Sequence, residues 1–497
     1  MSRTISYQLL IDWDGSGLFN FDESNYMFSA NGNESMTPPG SSSFSSEPYS
    51  SEMTVILLNT SSRFSALNTS GPLYVYLQNG GHYQKKIRLN ITIDGTTYTI
   101  FRGFIKSAEE DFLNERESTK VTLVCRSSDD QLKFKGVSTS HSITNQFYVE
   151  AKDEGEIIAK ILETSGLIDN VNYRSQTFAN PTIDRGLFSI PYFWMDEESP
   201  IDDAASLAQA CGGRFFFDTQ SGMYYYKNAF EYATGTSATS QETLTLANCS
   251  SFEYGVNDRE LAESIVVSAR PRYVSESKEI WRNDDVIKLL PYQQKQIVAR
   301  LNQPLVEYTN TYYTATTTAG LAISGVNKSV ASYSQKLFIT ITNTTAYSVF
   351  IRDFYAVGKI LEPLDIIEYS RDSNNSYWSG REGREVKVST NAYVQSWSQA
   401  KAIGDLTIER LGSFSPELSV GGYVGSKFLR VAQMVTANVS SKLNTTFIIT
   451  KQNWSLTSKG LTQSLEMYGS SSIYGLGVSN YFVIGTHSQN SSKKYFY

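Results

Sequence analysis

The sequence predicts a mainly β protein with a small α/β part. Tyr (32) and Phe (26) are abundant beside Ser, Thr and Asn, while charged residues make up only 19%; that mixture suits half-buried pleated surfaces. Short runs alternating at period two recur along the chain between turn residues. The period becomes helical in three places only, near residues 153–166, 199–213 and 391–411. At 497 residues the chain is too long for one core, so several domains are expected.

The first is a β-barrel over residues 1–135. Residues 5–13 alternate as a strand, and 30–50 read as a long exposed Gly/Pro/Ser loop. Thr54–Leu58 is apolar on both sides, Leu89, Ile91 and Ile93 alternate, Asp94-Gly95 is a hairpin turn, and Tyr98–Phe104 runs back. Val121, Leu123 and Cys125 close the set. Between strands lies the segment Leu57–Tyr74, whose Asn/Ser/Thr run favours side-chain bonds to its own backbone before Gly71-Pro72 fixes a turn. It reads as a joint within the barrel.

Residues 136–245 read as a small α/β domain. Asp153 with Glu156 forms a capping box, Ile157, Ile158, Ile161 and Leu162 make a helical stripe, and Gly166 stops it. A second helix starts at Ser199-Pro200 and ends at Gly212-Gly213, ahead of an aromatic hairpin, Arg214–Asp218 and Met223–Lys227. Beyond it the pattern predicts the first part of a second β-barrel over 246–306 and an inserted β-sandwich over 307–390. A helix over 391–411, carrying Val394, Trp397, Ala400, Ile408 and Leu411 on one face, follows. Residues 412–470 complete the second barrel and 471–497 form a C-terminal tail.

Chemistry-bearing motifs are few. From Asp12 the oxygen-bearing residues Asp12, Asp14, Ser16 and Asn20 fall at positions 1, 3, 5 and 9, with Gly17 at 6 and Glu23 at 12, close to a calcium-loop spacing. Ser16 departs from the strict pattern, and the flanks read as strands where such loops need helices; the alternative is an Asp/Gly-rich hairpin. Ca²⁺ is the only cofactor the sequence suggests. The acids Asp196–Glu198 and Asp202-Asp203 read as complements to a helix N-terminus rather than a catalytic pair. His82, His141 and His487 are scattered and read as surface residues. No nucleophile elbow, zinc-helix or phosphate-loop motif is present, so an enzyme is not expected, although a carboxylate-only hydrolase leaves no such signature. Cys125, Cys211 and Cys249 lack metal-ligand spacing and read as buried free thiols made in a reducing cytoplasm. A net charge of -7 argues against a phosphate-gripping surface, and no run approaches membrane-spanning length.

Several pieces taken together resemble the tail-tip and baseplate hub proteins of tailed bacteriophages. They are Tyr7–Gly17, Leu57–Ser65, Gly71–Tyr74, Phe101–Ile105 and Val121–Cys125, in that order within the first 125 residues. The resemblance implies a virion structural protein at the distal end of a tail, assembled in the host cytoplasm. It further implies a homotrimer whose two tube-like barrels per chain form a ring of six around the DNA channel. Implied partners are the tail tube protein, other tail-tip, baseplate or fibre proteins, and the tape measure protein. The composition also suits a tail fibre or adhesin that binds host-surface glycans, though no repeats are found; a tail-associated hydrolase is the enzymatic alternative.

Overall fold

In the computed structural model the first and last of the alternating runs join in one sheet of 13 strands that takes residues from both ends of the chain. The structure describes residues 3–36, 51–114, 117–127, 152–164, 182–195, 200–228, 240–256, 261–374, 383–388, 392–411, 416–440 and 443–469. Its N-terminal part runs, in spatial order, Met27–Ser35, Ser51–Leu58, Glu117–Ser127, Thr96–Asn114, Lys86–Ile93 and Ile5–Ile11, every pair antiparallel. Leu9, Ile11, Val55, Leu57, Leu89, Ile91, Leu123 and Cys125 point to one buried core. Asp94 and Gly95 both have positive φ (47° and 87°), the turn that matches strand twist. Residues 30–35, expected in a loop, belong instead to the strand Met27–Ser35.

The C-terminal hairpin, Leu443–Thr457 with Gly460–Gly469, belongs to both halves of this sheet. Near its turn, Lys451–Leu456 pairs with Ala30–Ser35, and Trp454, Leu456 and Leu461 enter the first core. At its other end Phe447, Ile449, Leu465 and Met467 pack with Leu244, Leu418, Val420 and Val435 in a second core. The hairpin therefore joins two half-barrels instead of completing only the second. Gly32 is required at this seam: a Cβ there would lie 2.5 Å from the Trp454 ring.

The region expected to open the second barrel divides three ways. Only Ser251–Val256 joins it, through Pro416–Tyr423. Ser264–Ala269 pairs with Ile367–Asp372 and Glu385–Val388, and the helix Trp397–Leu411 packs on this three-stranded sheet. From Arg272 onward the chain is already in the β-sandwich. Arg272–Val274, Lys278–Asn283, Ile287–Leu289 and Leu305–Thr316 all pair with Val349–Pro363. A second sheet of Gln294–Arg300, Lys336–Asn343 and Val326–Ser332 faces it across a core of Leu289, Leu337, Ile339, Ile341, Ile351 and Phe354. Alternation marks a strand's buried face and says nothing of its partner, so sequence could not separate these sheets.

The α/β unit has helices Glu154–Thr164 and Pro200–Ala210 and the expected hairpin, with Phe215 opposite Tyr226 and Phe217 opposite Tyr224. Asp153 Oδ1 accepts the Glu156 N–H at 2.8 Å, the predicted cap. This unit shares one core with Ile265, Val267, Ala400 and Ile403, so the late helix completes it. Gly404 lets that helix approach: a Cβ would sit 2.7 Å from the Tyr369 ring. Trp397, expected on the apolar face, is half exposed and edge-on to Tyr369. Residues 37–50, Gly166, Asp196–Glu198, Ser199, Gly412, His141, His487 and the 471–497 tail lie outside the described residues.

Candidate functional site

The strand Ile5–Ile11 ends at Asp12, and the chain returns as the two-residue strand Phe21–Asp22 paired to Leu10 and Ile11. Both flanks of the Asp12 loop are thus extended. Asp12 is buried and accepts the Gly17 N–H at 2.8 Å and the Ser16 hydroxyl at 3.4 Å. Asp14 accepts the Ser16 N–H at 3.1 Å and Asn20 Nδ2 at 3.1 Å. These donors, the Ser16 N–H foremost, hold the Asp14 carboxyl well below the usual carboxylate range. Asp12, Asp14, Ser16 and Asn20 are therefore brought together.

Glu23, the fifth predicted ligand, is committed elsewhere. Fully buried, it accepts Trp13 Nε1 at 3.1 Å and a two-point pair from Arg63, Nε at 3.1 Å and Nη2 at 3.0 Å. Among the described residues no three of His, Cys, Asp or Glu are grouped to hold a metal ion.

Arg63 comes from the Leu57–Tyr74 joint, which does connect two strands of the first half-barrel. Its polar side chains fold it on itself: Asn59 Oδ1 accepts the Phe64 N–H at 2.8 Å, and Asn68 Nδ2 donates to the carbonyls of Ser61 and Ser62. Phe64, Leu73 and Leu77 then insert into the first core beside Trp13. The Arg63 guanidinium lies 4.9 Å over the Tyr26 ring. His82, expected at the surface, is buried with Nε2 donating to the Phe64 carbonyl at 2.9 Å and its ring edge-on to Trp13. Sequence reasoning missed Arg63 and His82, yet Arg63 is the sole charge between Leu57 and Tyr74, a signal in plain view.

A second buried polar junction fixes the α/β unit to the seam between the half-barrels. Arg430, 9% exposed, donates to Thr219 Oγ1 at 3.0 Å and to the Thr99 carbonyl, and lies 3.5 Å from both Glu34 and Asp218 carboxylates. Arg102 donates to the Ser221 carbonyl at 3.2 Å. One hairpin turn, Asp218–Gly222, is thereby held against three parts of the chain.

The large sheet leaves open edges. Among the described residues Ser251–Val256 pairs on one side only, and Glu253 and Tyr254 on it are exposed. At the far end Ile5–Leu9 pairs, among the described residues, with the strand Lys86–Ile93 alone. No described helix is long and apolar enough to cross a membrane.

No protein-family model and no curated protein matches the sequence. Solved structures similar to this chain include two tail proteins and a type VI secretion component. The tail protein of Neisseria meningitidis MC58 is 10% identical, with 93% of this chain and 96% of that chain covered and a TM-score of 0.47. The 43 kDa tail protein of prophage MuSo2 from Shewanella oneidensis is 11% identical, with 94% and 99% covered and a TM-score of 0.47. A type VI secretion component of E. coli, described as structurally similar to T4 bacteriophage tail proteins, is 8% identical, with 94% and 76% covered and a TM-score of 0.38.

Proposed function

We propose that this chain is the hub at the distal end of a phage tail, a structural part of the virion that joins the tail tube to the tail tip or baseplate. The carrying observation is the 13-stranded sheet in which one chain supplies two half-barrels, fused through a shared hairpin, with strands such as Ser251–Val256 and Ile5–Leu9 left open along one side among the described residues. Three such chains, meeting edge to edge, would present six half-barrels around one axis, a match between a sixfold tube and a threefold tip. Unpaired strand edges are the natural contact for such closure.

The tube protein is then the partner above, tip, baseplate or fibre proteins are partners below, and the tape measure protein occupies the lumen during assembly. A net charge of -7 suits a channel wall past which DNA slides without being held. The role is structural and not catalytic, and no base sequence is read.

A reconstruction of the tail tests this. The expected result is the chain on the tail axis, in three copies, between tube and tip. Location off the axis, or the absence of trimers after cross-linking of particles, would overturn it.

A further inference from the structure

The three-stranded sheet beneath the helix Trp397–Leu411 ends on an uncovered strand. Ile367–Asp372 pairs with Ser264–Ala269 on one side, and among the described residues no strand pairs with its other edge. Apolar side chains collect at the start of that edge, where Leu364, Ile366, Ile367 and Trp397 are 49%, 55%, 39% and 49% exposed. They belong to one place. Ile367 is opposite Ala269, the next residue, Arg270, donates its N–H to the Val394 carbonyl at 2.8 Å, and the helix opens with Trp397 three residues after Val394. Tyr369 lies against this helix, beside Gly404 and edge-on to Trp397. By alternation Ile367 shares that face and Ile366 falls on the opposite one. The edge is therefore apolar on both faces, and an open apolar edge is a template for another strand.

The chain itself supplies one. Gly469 ends the last strand of the large sheet, and the sequence continues through residues 470–497. Residues 470–486 contain no Asp, Glu, Lys or Arg, and within them Tyr481, Phe482, Val483 and Ile484 make an unbroken run of β-forming side chains. This extension starts beside the uncovered strand. Tyr468 packs with Leu406 of the helix, and a Cβ on Gly469 would stand 2.5 Å from the Pro416 ring. The helix ends at Leu411, whose carbonyl accepts the Ala262 N–H at 2.8 Å, and the adjoining Glu263 carbonyl accepts the Ser373 N–H at 2.6 Å. The C-terminal end of Ile367–Asp372 thus sits at the same end of the helix as Gly469. Fully extended, residues 470–480 reach up to about 36 Å, enough to bring the apolar run alongside.

We infer that residues 481–484 of the same chain add to the free edge of Ile367–Asp372 as an antiparallel fourth strand. Entering from the C-terminal end of that strand, the extension meets it running the opposite way. Side chains of an added strand alternate between faces, so Tyr481 and Val483 fall on one and Phe482 and Ile484 on the other. That matches an edge with Ile367 and Trp397 on one face and Ile366 on the other. The main-chain bonds of the edge give the affinity, and the apolar flanks set the register. Once filled, the edge no longer offers itself to other chains.

Hydrogen exchange of the full chain tests this against a variant that combines Tyr481→Ser, Phe482→Ser, Val483→Ser and Ile484→Ser. Amides of Ile367–Asp372 should exchange about tenfold faster or more in the variant, because their outward N–H groups lose their partners. Glu385–Val388, at the other edge of the same sheet, should exchange equally in both and is the internal control. Should the variant not fold, a chain ending at Ser470 gives the same comparison. A benzophenone amino acid at position 482, irradiated in a mixture of isotope-labelled and unlabelled chains, should give an adduct to residues 363–372 or to Trp397 within one chain. Equal exchange at Ile367–Asp372 with and without the apolar run overturns the inference. So does an adduct elsewhere, or one joining labelled to unlabelled chains, which would make a second copy the occupant.

Discussion

Glu23 and Arg63 stand 40 positions apart and meet as a two-point ion pair inside the first half-barrel, Nε to Oε2 at 3.1 Å and Nη2 to Oε1 at 3.0 Å. One partner belongs to the loop after the first strand and the other to the joint between later strands, so the pair ties two excursions to one core. The Glu23 carboxylate has no exposure, whereas the Arg63 side chain keeps 22%. Removing Arg63 would leave a buried carboxylate that still accepts from Trp13 Nε1 but has lost its cation. Arg63→Ala is expected to destabilise the protein by about 3 kcal/mol, the lower end for breaking a buried pair. Arg63→Lys should recover only part, because an ammonium cannot reproduce the planar fork. Urea denaturation at neutral pH reads both; a loss below about 1 kcal/mol for Arg63→Ala would show that water reaches Glu23.

The seam between half-barrels makes a steric prediction. Gly32 faces Trp454 from the neighbouring strand, and a methyl there would meet the ring at 2.5 Å and the Glu52 carbonyl at 2.7 Å. Neither a backbone carbonyl in a strand ladder nor a buried indole can retreat cheaply. Gly32→Ala should cost at least about 1–3 kcal/mol, the usual penalty of overpacking. Hydrogen exchange should show faster opening at Ala30–Ser35 and Lys451–Leu456 before the rest of the sheet. Uniform loss of protection would show instead that the two half-barrels unfold as one unit.

Glu154 gives a pH dependence. Burial pushes its carboxyl up to about 7 from 4.5, against the opposing pull of the Leu187 and Phe188 N–H groups and the Tyr226 hydroxyl. A carboxyl whose folded pKa lies above its unfolded value favours folding below the lower value and loses that contribution as pH rises to the upper one. Stability should therefore decline between about pH 4.5 and 7 by roughly 3 kcal/mol, 2.5 units at 1.36 kcal/mol each. Glu154→Gln should flatten that decline while lowering stability at every pH, since its amide cannot accept from both backbone donors. Melting temperatures of both forms across this range provide the check. A wild-type curve as flat as the variant's would mean that the three donors fully offset burial.

How far the sequence could be read follows from the range of each signal. Leu89, Ile91 and Ile93, the Asp94-Gly95 turn, the Asp153 cap and the Phe215–Tyr226 hairpin were legible because each is decided within a few residues. The mainly β class was legible for the same reason. Partner choice was not. Ile265, Val267 and Ala269 show the alternation of a barrel strand, but their face is filled by Ala400 and Ile403, some 140 residues later. The hairpin Leu443–Gly469 likewise alternates throughout, and nothing local announces that it crosses from one core to another. At the candidate site the four clustered residues were found by spacing. That Glu23 pairs with Arg63 was not legible, because counting positions cannot show that Arg63 arrives from another loop.

The same separation governs Ca²⁺ at the Asp12 loop. A cation there would find two carboxylates, Asp12 and Asp14, with the Ser16 hydroxyl and the Asn20 amide. Asn20 turns its Nδ2 toward Asp14 and Ser16, so its amide must reverse to offer oxygen. So light a ligand set would hold Ca²⁺ no tighter than about millimolar. Calorimetric titration of the wild type at millimolar Ca²⁺ should give a weak heat that Asp14→Ala removes and Glu23→Gln leaves in place. Glu23→Gln should at the same time lower the unfolding midpoint, because the neutral amide loses its ion pair with Arg63. Should Glu23→Gln abolish the heat without moving the midpoint, Glu23 would be a ligand after all, and Arg63 would have to release it when the ion binds. No heat with any variant would leave the loop an Asp/Gly hairpin whose carboxylates serve its own backbone.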